Sequence, residues 1–526
     1  MTQYVVSRLD VAAAVLAGCL ALTACRNQEP STRAASTQQE KRQTADSSPL
    51  GSSTHGLKDE DIAGAVEREL YGDPSVPSNA VHVKVSDGVV VLTGTVNNLL
   101  AASRAPYVAA AVKGVRGVDN RLEVHAPHVD DSSLMASVVT SMALDPAVES
   151  FVVDVDVHDQ VVTLTGTVKS QQERAWAERD ARSVAGVRAV DNKLKIVYPK
   201  KWTDAEIRED VIGRFHWDAL LHEGLVLVDV KDGQVNLRGY VGSLGEKLRA
   251  EQEAWVPGVK GVSADDLEVK WWAEDTDLRH GKYVARTDQE VASAIKEGLS
   301  LDPRVSSFTV TPTVNGGVAT LVGTVTSVRA RRAAREIARN TVGVSRVENL
   351  VEVELNGVSD AVLNRQALSA LSSNPLTRAY DIGVEVRSGV ATLTGKVQNA
   401  AEKAEAEAVV GGIAGISDVI NELAVVSPIP FAVEYHGYPY YPSVSSWALY
   451  AASLPLKTDL EIERDIRQAL KWSPYVNAKD IHVRVREGVA TLTGKVKTLR
   501  ARRAAEANAY QGGAVKTVDD IEVTAS

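Results

Sequence analysis

Ten basic side chains stand in two runs against an acidic background: Arg329, Arg331, Arg332, Arg335 and Arg339, then Lys495, Lys497, Arg500, Arg502 and Arg503. Cations at this density bind phosphate or carboxylate groups, and beside an anionic leaflet each contributes about 1 kcal/mol. The chemistry on offer is binding of lipid headgroups, and a solvated helix face is the competing reading. AEKAEAEA, residues 401–408, occupies the corresponding place in a neighbouring stretch; it is acidic and should repel an anionic surface. A second cluster is aromatic: PIPFAVEYHGYPYYPSVSSWALY holds Tyr438, Tyr440, Tyr441 and Trp447. Flat rings with one polar tip suit a membrane or protein interface, or a linker that packs its rings on its neighbours.

Nothing in the chain spells covalent or metal chemistry. The ten histidines form no HExxH motif or other metal-ligand spacing, no GxSxG elbow is present, and no pair of thiolates is available. His82 and His482 fall on the polar side of alternating segments, where solvent explains them. No catalytic residue, metal ligand or cofactor is assigned, and the chain reads as non-enzymatic. A net charge of −10 and a pI near 5.6 argue against a nucleic-acid partner.

The first 25 residues, MTQYVVSRLDVAAAVLAGCLALTAC, combine Arg8 with an apolar run that is too short to span a bilayer. They read as an export signal. The closing Leu22-Thr23-Ala24-Cys25 resembles the lipobox of bacterial lipoproteins, which implies cleavage before Cys25 and its acylation. Cys19 would leave with the signal, so no disulfide is expected in the mature chain. Arg26 after the cysteine resembles an outer-membrane address, which places the protein on the periplasmic side of that membrane; a soluble periplasmic protein is the alternative. Residues 26–57 are polar, lack hydrophobic periodicity and read as a disordered tether.

The elements that must position the charged residues come from a repeat. GVATLTGKV occurs at 389–397 and again at 488–496, with variants at 88–96, 160–168, 233–241 and 317–325. The recurrent glycines are Gly94, Gly166, Gly239, Gly323, Gly395 and Gly494, which we read as structural because glycine offers no chemistry and no phosphate-binding motif surrounds it. Thr203-Asp-Ala-Glu206, Thr287-Asp-Gln-Glu290 and Thr458-Asp-Leu-Glu461 are capping boxes that start a helix. Prolines such as Pro146 and Pro303 stop it. Alternation such as Val81-His-Val-Lys-Val85 then predicts a strand, short Asp/Gly turns predict a hairpin, and an Ala-rich helix and a last strand follow. Each unit is expected to be α-β-β-α-β, with two helices on a three-stranded sheet.

The Gly-Val-x-x-Leu-x-Gly-x-Val hairpin, the Ala-rich helix and a closing Val-x-x-Val-x-Asn-x-Leu (Val187, Val190, Asn192, Leu194) resemble the BON domain, named for bacterial OsmY and nodulation proteins. The resemblance implies an envelope protein that binds phospholipid or associates with membranes, often in osmotic or envelope stress. Arg238 and Pro257 make the third copy divergent. The expected fold class is α+β, with BON-like modules at 58–126, 130–198, 203–271, 287–355, 359–427 and 458–526. A Trp-containing linker at 272–286 and a Pro/Tyr-rich one at 428–457 separate them. The expected partner is a phospholipid membrane with anionic headgroups, with envelope proteins or cell-wall polymer as the alternative.

Overall fold

The computed structural model describes residues 57–524, apart from 275–285, 427–457 and shorter breaks at 74, 77–79, 149–151, 306–309, 356, 497–498 and 515. Cys25, the tether and the Tyr438–Trp447 cluster lie outside the described residues. The chain is α+β and repeats one unit six times. In module one a helix, Asp59–Gly72, precedes the hairpin Val81–Ser86 and Val89–Val96, a second helix Leu99–Ala110 and a third strand Gly117–Val124. The hairpin is antiparallel, and the third strand lies parallel to its second strand, which is therefore central. In modules two, three and five the third strand is interrupted, so that it pairs in two short pieces.

Local chemistry explains each element. The three Thr/Glu capping boxes form as read, and Asn399 with Glu402 makes a fourth on the second helix of module five. The central strand alternates buried and outward positions: Val90, Leu92 and Val96 are buried in module one, as are Ala490, Leu492 and Val496 in module six. Both helices cover that one face, giving each module its own aliphatic core. The strand glycine has φ between 111° and 144° in all six copies. A Cβ there would fall on the carbonyl oxygen of Ala80 in module one, and on that of Asp480 in module six. Chain crossing at the hairpin base thus requires glycine.

Every hairpin closes through two residues of positive φ, from Asp87-Gly88 to Glu487-Gly488. Their N–H groups point back at the first helix, where one carboxylate accepts both. Asp59, Asp131, Asp204, Asp288, Asp360 and Asp459 each take two turn N–H groups at 2.7–3.2 Å. At the other end of the unit an asparagine ties the third strand to the second helix. Asn120, Asn192, Asn349 and Asn421 donate Nδ2 to the carbonyls of Ala102, Arg174, Arg331 and Lys403 at 2.8–3.1 Å.

Residues 56–526 form one compact unit, because the ends of the helices dock between modules. The last residue of a first helix packs on another module's core in three places: Trp472 on module one, Leu144 on module five and Trp217 on module four. The same pairs share backbone bonds, with N–H groups of Lys113, Ala185 and Val342 donating to the carbonyls of Trp472, Ser373 and Trp217 at 2.8–3.0 Å. Modules therefore pair one with six, two with five and three with four. The first residue of a second helix makes the other contact: Leu99 packs on module two, Leu244 enters the core of module one and Val328 that of module five. Module two reaches module three through Gln172 Nε2 on the Trp255 carbonyl and the Tyr198 hydroxyl on the Val259 carbonyl, both at 3.0 Å. Modules one, two and three thereby close a ring.

Asp204→Ala is expected to cost about 2 kcal/mol, the loss of two charge-assisted bonds at a part-exposed site. Hydrogen exchange checks this: the amides of Asp232 and Gly233 should lose protection while those of module one keep theirs.

Candidate functional site

The five arginines of the second helix of module four, Val328–Arg339, do not share one fate. Arg329 bonds the Asp145 carboxylate of module two with one nitrogen, and its backbone N–H donates to the Gly411 carbonyl of module five at 2.8 Å. Arg331 pairs with Asp418 at 3.0 Å and Arg332 with Glu407, both in module five. Arg335 is exposed, and Arg339 is half-buried with Nε unpartnered. Burial and the neighbouring Arg335 lower the Arg339 guanidinium from its usual range, against the pull of Glu336 and Glu506. In module six Lys495 pairs with Glu522 at 2.9 Å across the sheet, and Arg502 with Asp519 at 2.8 Å. Lys497 and the side chains of Arg500 and Arg503 lie outside the described residues.

Arg329 enters a charged junction that the sequence did not announce. Around Trp176 of module two stand three guanidinium groups: Arg179 at 4.5 Å, Arg304 at 5.1 Å and Arg329 at 5.7 Å from the ring centroid. Asp145 caps the first helix of module two and accepts the Ala147 N–H at 2.9 Å with one oxygen, leaving the other for Arg329. Asp180 lies alongside, buried, with Oδ2 lacking a partner. Burial pushes its carboxyl well above the ordinary range and Asp145 adds to this, against the pull of Arg329 and Arg179. Burial likewise lowers the Arg179 guanidinium, and Arg329 lowers it further. The corresponding helix-cap residue finds its partner within its own module elsewhere: Asp73 binds Arg104, Asp218 binds Arg249 and Asn374 binds Glu405. The residue in that place in module two is Trp176, so Asp145 takes its cation from module four. One sequence signal marks this site, a tryptophan at a position otherwise held by polar or small residues.

Among the described residues no group of three His, Cys, Asp or Glu side chains is placed to hold a metal, and no helix is long and apolar enough to cross a membrane. Among the positions that recur in every module, the strand glycine and the carboxylate clamp both serve the fold. That recurrence has a counterpart outside the chain: the family model described as BON domain matches residues 58–126, 130–198, 203–270, 287–354, 359–427 and 458–525.

The chain belongs to the BON domain family. It is 32% identical over 146 residues to the osmotically-inducible protein Y of Escherichia coli (strain K12), an alignment covering 26% of this chain and 73% of that protein. Two structures of CdsD, the structural protein of the type III secretion system of Chlamydia trachomatis, are similar at 18% identity; they cover 39% and 41% of this chain and 91% and 100% of those chains, each with a TM-score of 0.12. The BON repeats of this chain use the second helix as a docking element, and module four carries this furthest.

Two outcomes test the junction. Arg329→Ala leaves Asp145 buried without its cation and should destabilise by about 3–5 kcal/mol, whereas Arg335→Ala should change stability by less than about 0.5 kcal/mol. The folded chain keeps the Asp180 proton at a pH where the unfolded chain has released it, above about 3.9. Stability should therefore fall as pH rises through the interval up to the raised value. Asp180→Asn should flatten that slope and raise the unfolding temperature at neutral pH, read by calorimetry across the pH range.

Proposed function

We propose that this is a non-enzymatic protein of the bacterial cell envelope, whose six BON modules act as one body that associates with phospholipid surfaces during osmotic or envelope stress. The observation that carries this reading is the family membership of all six modules, supported by the similarity to an osmotically-inducible protein. The leader ending in Leu22-Thr23-Ala24-Cys25 supports acylation at Cys25 and attachment to the periplasmic face of the outer membrane. A lipid tether raises the local concentration of the modules at the membrane, so that weak headgroup contacts suffice.

The geometry narrows which cations would make those contacts. Arg329, Arg331 and Arg332 are engaged by carboxylates of modules two and five, which leaves Arg335 as the exposed cation of that helix outside those pairs, with Lys497, Arg500 and Arg503 as further candidates from module six. The Tyr438, Tyr440, Tyr441 and Trp447 cluster is the aromatic candidate for an interface. A second reading gains support from the same ion pairs: the modules form an array that binds proteins or cell-wall polymer, and the lipid serves only as tether.

Sedimentation with vesicles separates the two. A chain beginning after Cys25 should bind anionic but not neutral vesicles, and lose binding at high salt. Arg335→Glu should weaken that binding, while Arg331→Glu with Arg332→Glu should loosen modules four and five without affecting it selectively. Absence of binding to either vesicle would favour the array.

A further inference from the structure

The outer face of each sheet, the one its helices leave open, is built differently in module three. Residues that flank the strand glycine set this face. The residue before it is threonine in modules one, two, five and six and valine in module four, but Arg238 in module three. The residue after it is threonine or lysine in the other modules and Tyr240 here. Across the hairpin from Arg238 stands the exposed Leu227, where the other modules place histidine, aspartate, threonine or glycine. Beyond the third strand, the proline of modules one and two, Pro127 and Pro199, gives way to Trp272. The divergence of module three thus falls on one surface.

Two rings stand together there. Tyr240 and Trp272 are both exposed, with centroids 5.1 Å apart and planes at 57°, and form an angled platform. Asn236, Arg238 and Tyr240 are exposed along the central strand, at steps of about 7 Å. The Arg238 guanidinium donates to the Asp229 carboxylate. Both partners are half-exposed, so their other N–H groups and lone pairs face solvent. Glu268, in register with Tyr240, is paired with Lys270 at 2.7 Å.

These features select an occupant. The ion pairs cancel, so the face exerts little pull on an anionic headgroup or a nucleic-acid backbone. Three apolar side chains interspersed with ion pairs are too few for the core of a stable protein interface, which takes about 800 Å² from each partner. A sugar ring matches what is offered. One side of it is made of C–H groups, which lie on an aromatic ring, and its rim of hydroxyls both donates and accepts, as an arginine–aspartate pair and an amide require. A strip of such groups along a strand suits a chain of sugar rings.

We infer that the outer sheet face of module three binds a glycan strand of the cell-wall polymer, with sugar rings on Tyr240 and Trp272 and hydroxyls on Arg238, Asp229 and Asn236. The inference rests on the array reading given above and not on attachment to a bilayer.

The test sediments the chain beginning after Cys25 with purified peptidoglycan sacculi, with a soluble N-acetylglucosamine hexamer as competitor. Sedimentation should occur at low and high salt alike, because no net charge is matched, and the hexamer should release the chain. Tyr240→Thr and Trp272→Ala should each weaken binding by about tenfold, and Arg238→Thr with Leu227→Thr should weaken it too. Threonine stands at the places of residues 227, 238 and 240 in at least one other module, so the sheet should keep its fold, which circular dichroism checks. Vesicle sedimentation of the variants should match that of the unaltered chain. Sedimentation with sacculi that the variants keep in full overturns the inference and leaves the array reading standing. Absence of sedimentation overturns it together with the cell-wall form of that reading. A dimer of the unaltered chain that the same variants abolish would give the face to a second copy and would likewise overturn it.

Discussion

One carboxylate at the start of each first helix holds two N–H groups of a hairpin turn, and the module is organised around that contact. A two-residue turn of positive φ points both N–H groups away from its own hairpin, where they would otherwise bond only water. A carboxylate at a helix N-terminus is favoured there by the helix dipole. The contact joins two requirements in one group, and it sets the first helix across the end of the hairpin in all six copies. The sheet face so defined is then covered by the second helix, which the asparagine of the third strand secures in four modules.

Units of about 70 residues bury little core, and the helix ends of this unit remain apolar. Trp217, Trp472, Leu244 and Val328 find burial only in another module. Docking therefore completes the modules as well as joining them. It also gives meaning to the divergence of the copies. The basic second helix of module four and the acidic one of module five, read in isolation, look like a membrane-binding and a membrane-repelling face. They are two halves of one interface, with Arg332 on Glu407 and Arg331 on Asp418. The buried charges at Trp176 are a less obvious gain. Desolvation of such groups costs several kcal/mol each, and breaking a pair costs more than forming it contributes. Their effect is to make one arrangement of modules two, four and five far more favourable than its alternatives.

Much of the module was legible before any coordinates, because its signals are short-range. Capping boxes at Thr203, Thr287 and Thr458, the period-two strands and the six glycines each express a local constraint, and each lies where the sequence places it. The carboxylate clamp has a plain sequence signal that the motif reading passes over: an aspartate stands 28 and 29 residues before the two turn positions in every module. In modules three, four and six that aspartate also stands inside a capping box, which accounts for it without the clamp. The docking was not legible, since Leu99, Arg329 and Trp176 differ from ordinary helix residues only through neighbours that lie tens to hundreds of positions away. Arg329 and Asp145 are separated by 184 residues. Charge on a helix says that a partner is wanted; it does not say whether the partner is solvent, lipid or another part of the chain.

The central claim is that six repeats form one docked body and not a string of independent domains. Small-angle X-ray scattering of residues 56–526 tests it most directly. For a compact body of that length the radius of gyration should be about 23 Å by the scaling that folded domains obey. Reversal of Arg329, Arg331 and Arg332 to glutamate should increase it. A radius for the unaltered chain nearer twice that value, unchanged by the reversals, would contradict the account.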